Sequence, residues 1–152
     1  MPDRIHLTVA TVVHRAGRFL MVRENDNDRE VINQPAGHVE PGETLMHAAV
    51  RETLEETGWY VKLTGLLGIS HYFSPHNGKT YYRVSFVAEP LHLQPDAELD
   101  PDIVAVDWLN LEELTSSANL RSPLVLSDTR KYLNKIIYPI EIIGDFEDGV
   151  SS

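Results

Sequence analysis

Cysteine is absent from the 152-residue chain, which excludes thiolate catalysis, a disulfide framework and a structural zinc site of the thiolate type. Positive charge is also scarce, because 13 lysines and arginines stand against 23 aspartates and glutamates, a formal net charge of -10. Such a chain repels a nucleic-acid backbone and an anionic membrane surface. It can still bind a small phosphorylated molecule if divalent cations bridge its carboxylates to the phosphates.

No run approaches the roughly 18 apolar residues of a membrane span, and the start of the chain, Met1–His6, lacks the basic, apolar and small-residue order of a signal peptide. We therefore expect a cytoplasmic protein with no membrane or long nucleic-acid partner. Monomer and homodimer stay open. Without repeats or a linker, residues 1–152 are predicted to form a single domain, with a frayed tail at 149–152. The motifs GxxxxGK[ST] and GxSxG are missing, which excludes P-loop and serine-hydrolase chemistry.

The apolar periodicity predicts strands first, then a helix, then more strands and a second helix. This order indicates a mixed α/β sandwich in which helices cover a largely antiparallel or mixed sheet. A polar segment at 24–30 and an acidic segment at 90–101 are predicted to be loops. The predicted strands are 7–13, 19–22, 31–34, 61–71, 81–88 and 103–108, and the predicted helices are 44–57 and 123–134, with a helical turn at 111–114.

The helix at 44–57 has signals at both ends, with Thr44 as N-cap and Gly58 at the C-terminal end. At about 100° per residue, Glu52, Glu55 and Glu56 lie on one ridge, opposite an apolar face. Each close pair of these carboxylates repels by roughly 3–4 kcal/mol at an effective dielectric of about 20. Arg51 alone does not cancel this repulsion, whereas a hard cation such as Mg²⁺ or Mn²⁺ does. The alternative for an isolated EXXEE pattern is a solvated helix face.

The segment from Gly37 to Trp59, GHVEPGETLMHAAVRETLEETGW, resembles the Nudix box. Two positions depart from the family's pattern, because Thr53 and Trp59 stand where the family has aliphatic residues. The segments NQPAGH, NLRSPLVLSDTR and YPIEIIGDF are similar to one phosphatase subgroup of the same family. The resemblance covers most of the chain, and the box positions that match the family's spacing are Gly37, Glu43, Arg51, Glu52, Glu55, Glu56 and Gly58.

The resemblance implies a Nudix-type α/β/α sandwich with a mixed β-sheet, in which the box at 37–59 forms a loop-helix-loop motif. It also implies that Glu52, Glu55 and Glu56 bind Mg²⁺, or Mn²⁺, with the carbonyl of Gly37, while Glu43 and Arg51 orient the cluster. Water then attacks phosphorus after a general base removes its proton. The base differs among Nudix subfamilies, and we expect Glu55 first and Asp102 second, with Glu98 and Asp100 as further loop candidates. The catalytic residues expected are therefore Glu55, Glu52, Arg51 and Asp102.

The subgroup resemblance implies hydrolysis of phosphoanhydride bonds in nucleoside di- and triphosphates, or in an organic pyrophosphate such as hydroxymethylpyrimidine pyrophosphate. Arginines favour bidentate phosphate contacts, and the expected phosphate-binding residues are Arg4, Arg23, Arg83 and Arg121. The aromatic residues Tyr72, Phe73, Tyr81 and Tyr82 are candidates for stacking on a base. Two alternatives stay open, namely a hydrolase of a linked nucleoside diphosphate, such as ADP-ribose or a dinucleoside polyphosphate, and a nucleotide-binding module without turnover.

Overall fold

Seven strands, three α-helices and one short 3-10 helix (Ile140–Ile142) lie within residues 4–146, the part of the chain that the computed structural model describes. The expected fraying of 149–152 concerns residues outside this range. None of the helices within it has the length and apolarity needed to cross a lipid bilayer. The strands are β1 (Ile5–Arg15), β2 (Arg18–Asp26), β3 (Arg29–Asn33), β4 (Ala36–His38), β5 (Trp59–Phe73), β6 (Thr80–Leu93) and β7 (Ile103–Leu109), and the helices are α1 (Leu45–Thr57), α2 (Leu111–Ser116) and α3 (Leu124–Leu133).

The strands form a mixed sheet in the order β3-β2-β1-β6-β5, with β4 added to β1 and β7 added to β2. β1 and β6 are parallel, from Ile5 opposite Thr80 to Val13 opposite Ala88. The other strand pairs are antiparallel. The predicted mixed sheet is thus confirmed.

Alternating side chains of the sheet pack against helices on both of its faces. On one face, Val9 and Phe86 pack with Ala48 of α1. On the other face, Val12 packs with Val125 of α3. Each such fully buried aliphatic or aromatic side chain contributes roughly 1.5–3 kcal/mol. The sheet therefore lies between helices, and the α/β/α sandwich predicted from the sequence is confirmed.

Both predicted ends of α1 are confirmed. The Thr44 hydroxyl accepts a hydrogen bond from the backbone N–H of His47 at 3.0 Å, as an N-cap does. Gly58 ends the helix with a φ of 78°, a left-handed conformation that glycine adopts without steric cost. These two signals fix where the acidic ridge begins and ends.

The two departures from the Nudix pattern are both accommodated by packing. Thr53 is fully buried, and its hydroxyl donates to the Ala49 carbonyl at 2.8 Å and lies 2.8 Å from the Thr11 hydroxyl. The polar atom of this threonine is therefore satisfied. Trp59 packs edge-on against Trp108, with ring centroids 5.8 Å apart. Neither residue disturbs the helix.

The predicted loop at 24–30 is wrong. β2 continues to Asp26 and β3 begins at Arg29, joined by a turn in which Asn27 and Asp28 have φ values of 51° and 64°. Asn and Asp tolerate this left-handed conformation, which suits a two-residue hairpin. The acidic loop also begins later than predicted, because β6 continues past Pro90, next to a register shift in its pairing with β5, where a missing N–H is tolerated.

Candidate metal and substrate site

Three carboxylates converge at the C-terminal half of α1. Oxygens of Glu52, Glu55 and Asp100 all lie within 4.8 Å of one another. The loop that carries Asp100 docks on the helix end, because its backbone N–H donates to the Glu55 carbonyl at 3.0 Å. Asp102 is not part of this group; its side chain is exposed, and its backbone carbonyl accepts from the N–H of Asn25 at 2.9 Å.

Glu56, the third carboxylate of the ridge, faces inward and is 7% exposed. Its carboxylate accepts one hydrogen bond from the backbone N–H of Ala36, at 2.8 Å. Burial raises the pKa of Glu56 to about 9, and the nearby charges of Glu24, Glu52 and Asp100 act in the same direction. Burial also raises the pKa of Glu52, against the effect of its hydrogen bond from Arg51. A buried group of this kind ionises readily only beside a compensating cation.

Gly37 brings the backbone of β4 directly against the acidic ridge. A Cβ atom at this position would lie 2.1 Å from the Cδ atom of Glu52, a distance that no real side chain tolerates. The close approach therefore requires glycine for reasons of space. It also holds the β4 backbone against the Glu52 carboxylate.

Arg51 ties the ridge to the loop that precedes α1. Its guanidinium binds both oxygens of Glu43, from Nε at 2.6 Å and from Nη2 at 2.9 Å. Its Nη1 atom donates to Glu52 at 2.8 Å and to Glu55 at 3.1 Å. The hydrogen bonds from Arg51 lower the pKa of Glu43 to about 2, and those with Glu43 raise the pKa of Arg51. Arg51 thus orients two of the converging carboxylates.

The donor set of this site fits a hard divalent cation. Its oxygens come from the carboxylates of Glu52, Glu55 and Asp100, the type of ligand that Mg²⁺ and Mn²⁺ prefer. The mutual repulsion of Glu52, Glu55 and Asp100, together with the buried Glu56, gives such a cation a large favourable interaction.

A cavity of about 240 Å³ opens beside the acidic ridge. Glu56 and Gly37 line one side of it, while Arg83 and Arg121 also contribute to its wall. Two of the aromatic residues considered for base stacking, Tyr72 and Tyr81, are among its lining residues; Phe73 and Tyr82 are not.

The four arginines expected to bind phosphate lie in different places. Arg83 and Arg121 line the cavity, whereas Arg4 and Arg23 do not. Arg4 precedes β1 and is exposed. Arg23 donates from Nε to Asp107 at 2.6 Å, so its charge is already paired.

Arg83 is 7% exposed and belongs to a buried polar network behind the cavity. Its Nη1 atom lies 4.0 Å from Asp128 of α3. Asp128 accepts hydrogen bonds from Ser85 at 2.6 Å and from Gln34 at 2.7 Å. Burial lowers the pKa of Arg83 and raises that of Asp128. Within residues 4–146, the Nη1 atom of Arg83 has no hydrogen-bond partner.

Glu24 is a cavity residue that the sequence did not single out. It is buried, accepts from Arg121 at 2.5 Å and from Asn33 at 3.4 Å, and raises the pKa of Glu56 by its charge. The polar residues that follow Glu24 in the sequence predicted an exposed loop. Its partner Arg121 lies 97 positions away in the chain. No local signal marks such a pair.

An acidic helix between glycine-containing loops, facing a polar cavity on an α/β/α sandwich, is typical of a hydrolase of small phosphorylated molecules. The family model of the NUDIX domain matches residues 4–128. The chain belongs to the Nudix family, whose members act on small nucleotide substrates, and it is a Nudix hydrolase.

Similar proteins support this assignment along nearly the whole chain. Phosphatase NudJ of Escherichia coli (strain K12) is 41% identical over 141 residues, covering 93% of this chain and 92% of that protein. A NUDIX hydrolase structure from Nitrosomonas europaea superposes with a TM-score of 0.92 at 36% identity, covering 97% of this chain and 100% of the other. An Ap4A hydrolase from C. elegans has a TM-score of 0.67 at 23% identity, covering 86% and 97%, and shows the fold alone.

Proposed function

We propose that the protein hydrolyses a phosphoanhydride bond of nucleoside di- or triphosphates, or of a related organic pyrophosphate such as hydroxymethylpyrimidine pyrophosphate, with Mg²⁺ or Mn²⁺. The observation that carries the proposal is the convergence of Glu52, Glu55 and Asp100 oxygens within 4.8 Å. The similarity to phosphatase NudJ supports the substrate class.

The metal ligands in this proposal are Glu52, Glu55 and Glu56, with the carbonyl of Gly37 and the carboxylate of Asp100 beside them. A bound divalent cation supplies charge neutralisation for the phosphates and a lower pKa for water. Every other task falls to the chain itself.

Glu55 is the first choice as the general base that takes a proton from the attacking water. Its side chain is 44% exposed, so water reaches it, and Arg51 fixes its direction from Nη1. The second choice lies in the loop before β7, where Asp100 is within the cluster and Asp102, expected from the sequence, is exposed beside it. A positioned base of this kind contributes roughly 10²–10⁴-fold in rate.

Arg83 and Arg121 are the proposed phosphate-binding residues, because both line the cavity that Glu56 also lines. The guanidinium of Arg83 is buried, and its Nη1 atom has no hydrogen-bond partner among the described residues and lies 4.0 Å from Asp128. Its positive charge in the cavity wall favours a bound anion. Arg121 is balanced by Glu24. We further propose that residues 1–152 form one domain that acts in the cytoplasm on small molecules and not on long nucleic acid, which a net charge of -10 repels.

A phosphate-release screen tests the proposed function. Nucleoside tri- and diphosphates, hydroxymethylpyrimidine pyrophosphate, ADP-ribose and a dinucleoside polyphosphate are incubated with Mg²⁺ or EDTA, with and without added pyrophosphatase. Cleavage of ADP-ribose or of the dinucleotide gives two phosphate esters and no free phosphate, so their products are separated by chromatography. We expect magnesium-dependent orthophosphate from nucleotides without the added enzyme. Turnover of only ADP-ribose or the dinucleotide would instead favour a linked nucleoside diphosphate as the substrate. This alternative stays open because an Ap4A hydrolase has the same fold.

A matched pair of variants separates the acidic ridge from general charge effects. Glu56→Gln removes the buried carboxylate, and Glu112→Gln makes the same change on the exposed surface of α2. We expect Glu56→Gln to lower kcat by about 10²-fold or more, while Glu112→Gln keeps the parental rate. A folded Glu56→Gln variant with parental activity would refute the proposed function.

A further inference from the structure

A second concave surface, the α3 groove, runs along α3 next to the cavity and is open to solvent, with a volume of about 700 Å³. Its lining includes Arg121, Arg130 and Lys131, and no aspartate or glutamate among the described residues. In a chain with a net charge of -10, a surface with three cations and no acid is a local reversal of the molecular charge. It therefore attracts anions that the rest of the surface repels.

The α3 groove and the cavity are adjacent. Tyr72, His76, Arg121 and Ser122 line both of them. A ligand with its anhydride near Glu56 that reaches the groove therefore passes along these four shared residues.

Arg130 and Lys131 carry the least compensated charge of the α3 groove. Arg121 is neutralised in part by Glu24, 2.5 Å away, whereas Arg130 and Lys131 form no ion pair within residues 4–146. The charge of Lys131 also acts on the buried carboxyl of Asp128, whose pKa it lowers against the effect of burial. Basic residues at a helix C-terminus stabilise the helix dipole by about 0.3–1 kcal/mol, which accounts for their presence on α3 but leaves their charge available. The Nζ atom of Lys131 lies over β5, 3.5 Å from the place of a Cβ on Gly68.

The separation along α3 favours a ligand longer than a diphosphate group. Leu124 lines the cavity and Arg130 lines the groove, and at 1.5 Å per helical residue Arg130 lies about 9 Å further along the axis. A diphosphate group is shorter than this separation. A nucleoside placed between two phosphorylated positions has the required reach.

We propose that the α3 groove binds a second phosphoryl group of the substrate, remote from the anhydride that is cut. The preferred substrate class is then a nucleoside that carries a pyrophosphate on its 5′ carbon and a further phosphate on its 3′ oxygen. This inference rests on the proposed function, because it takes the anhydride to lie beside Glu56. Hydrolysis itself is unchanged, with water adding to phosphorus and phosphate leaving.

Binding of two products that cannot be hydrolysed at an anhydride tests the groove directly. Calorimetry with Mg²⁺ compares adenosine 3′,5′-bisphosphate with AMP for the parent protein and for Arg130→Gln, Lys131→Gln and Lys62→Gln. Lys62 is an exposed cation of β5 that does not line the groove. We expect the parent protein to prefer the bisphosphate by about tenfold or more, the value of one charge-assisted hydrogen bond.

The preference should fall about tenfold in Arg130→Gln or Lys131→Gln and persist in Lys62→Gln. Equal binding of the two ligands by the parent protein, or an equal loss in all three variants, would overturn the proposal. Turnover of adenosine 3′-phosphate 5′-diphosphate and ADP provides the second arm. Anhydride turnover without a bisphosphate preference would reject the groove and retain the proposed function. A groove-dependent preference for the bisphosphate without turnover of any anhydride would retain the groove as a phosphate-binding site and reject the proposed function.

Discussion

The guanidinium of Arg51 donates hydrogen bonds to both carboxylate oxygens of Glu43, at 2.6 Å from Nε and 2.9 Å from Nη2. Glu43 has only 6% of its side chain exposed. Because one end of the guanidinium is fixed in this way, its Nη1 atom is aimed at Glu52 and Glu55. The pair thus transmits the position of the loop before α1 to the carboxylates on α1.

Glu43→Gln should destabilise the protein at neutral pH by about 1–3 kcal/mol, because Arg51 loses its bidentate partner. Arg51 holds the pKa of Glu43 at about 2, below the ordinary value of 4.5. Stability from a depressed carboxylate pKa is present above pH 4.5 and is lost as the pH falls toward 2. The difference in unfolding free energy between parent and variant, from urea titrations, should therefore shrink across that interval. Glu112→Gln, at an exposed position of α2, is the control, and a difference that does not change with pH would contradict the prediction.

Gly37→Ala should abolish most activity while leaving the fold intact. A Cβ at Gly37 meets the Cδ of Glu52 at 2.1 Å, so the carboxylate must leave its place. We expect kcat/KM to fall about 10²-fold and the Mg²⁺ concentration for half-maximal activity to rise. Gly65→Ala is the matched control, since its Cβ meets the Ile137 side chain at 2.5 Å. A similar change of magnesium dependence in both variants would show that the effect of Gly37→Ala is not local.

Asp100→Asn and Asp102→Asn form a matched pair two residues apart. Asp100 lies in the carboxylate group with Glu52 and Glu55, whereas Asp102 is exposed. Asp100→Asn should weaken the binding of Mn²⁺, followed by electron paramagnetic resonance, by about 10–100-fold. Asp102→Asn should change it less. If Asp102→Asn weakened Mn²⁺ binding more than Asp100→Asn, the metal-binding residue of this loop would be Asp102.

Asp128→Asn should cost about 3–5 kcal/mol of stability, because it leaves the buried Arg83 without its counter-charge. Ser85 and Gln34 also lose a charged acceptor. In a double-mutant cycle with Arg83→Met, the two losses should not add, with a coupling energy above about 1 kcal/mol. Thermal or urea unfolding gives the free energy of unfolding of the parent, the two single variants and the double variant. Strictly additive losses would mean that Arg83 and Asp128 do not stabilise each other across their 4.0 Å separation.

The sequence predicts the acidic helix well because its signals are local. Thr44, Gly58 and the spacing of the glutamates all lie within one segment, and the structure confirms the cap at each end. The sandwich follows from the alternation of apolar residues in the strands. Pattern and propensity agree for these elements, so no distant partner is needed to specify them.

The remaining features depend on partners that are far away in the chain. Asn27 and Asp28 lie in a run of polar residues that resembles a loop, yet pairing with neighbouring strands turns this run into a hairpin. Asp100 joins the site because its N–H reaches the Glu55 carbonyl. Glu24 is buried only because Arg121 comes to it from 97 positions away. Spacing along the chain carries no information about such contacts.

The parallel pairing of β1 with β6 also affects how the chain folds as it is synthesised. The Thr8 hydroxyl contacts the Tyr82 carbonyl, 74 positions later. At about 5–20 residues per second, the ribosome needs roughly 4–15 s to supply that partner. During this interval the buried positions Val9, Val12 and Val13 have only the early hairpins and α1 to cover them. The rate of translation of the segment between β1 and β6 therefore determines how long the nascent chain exposes these apolar, aggregation-prone residues.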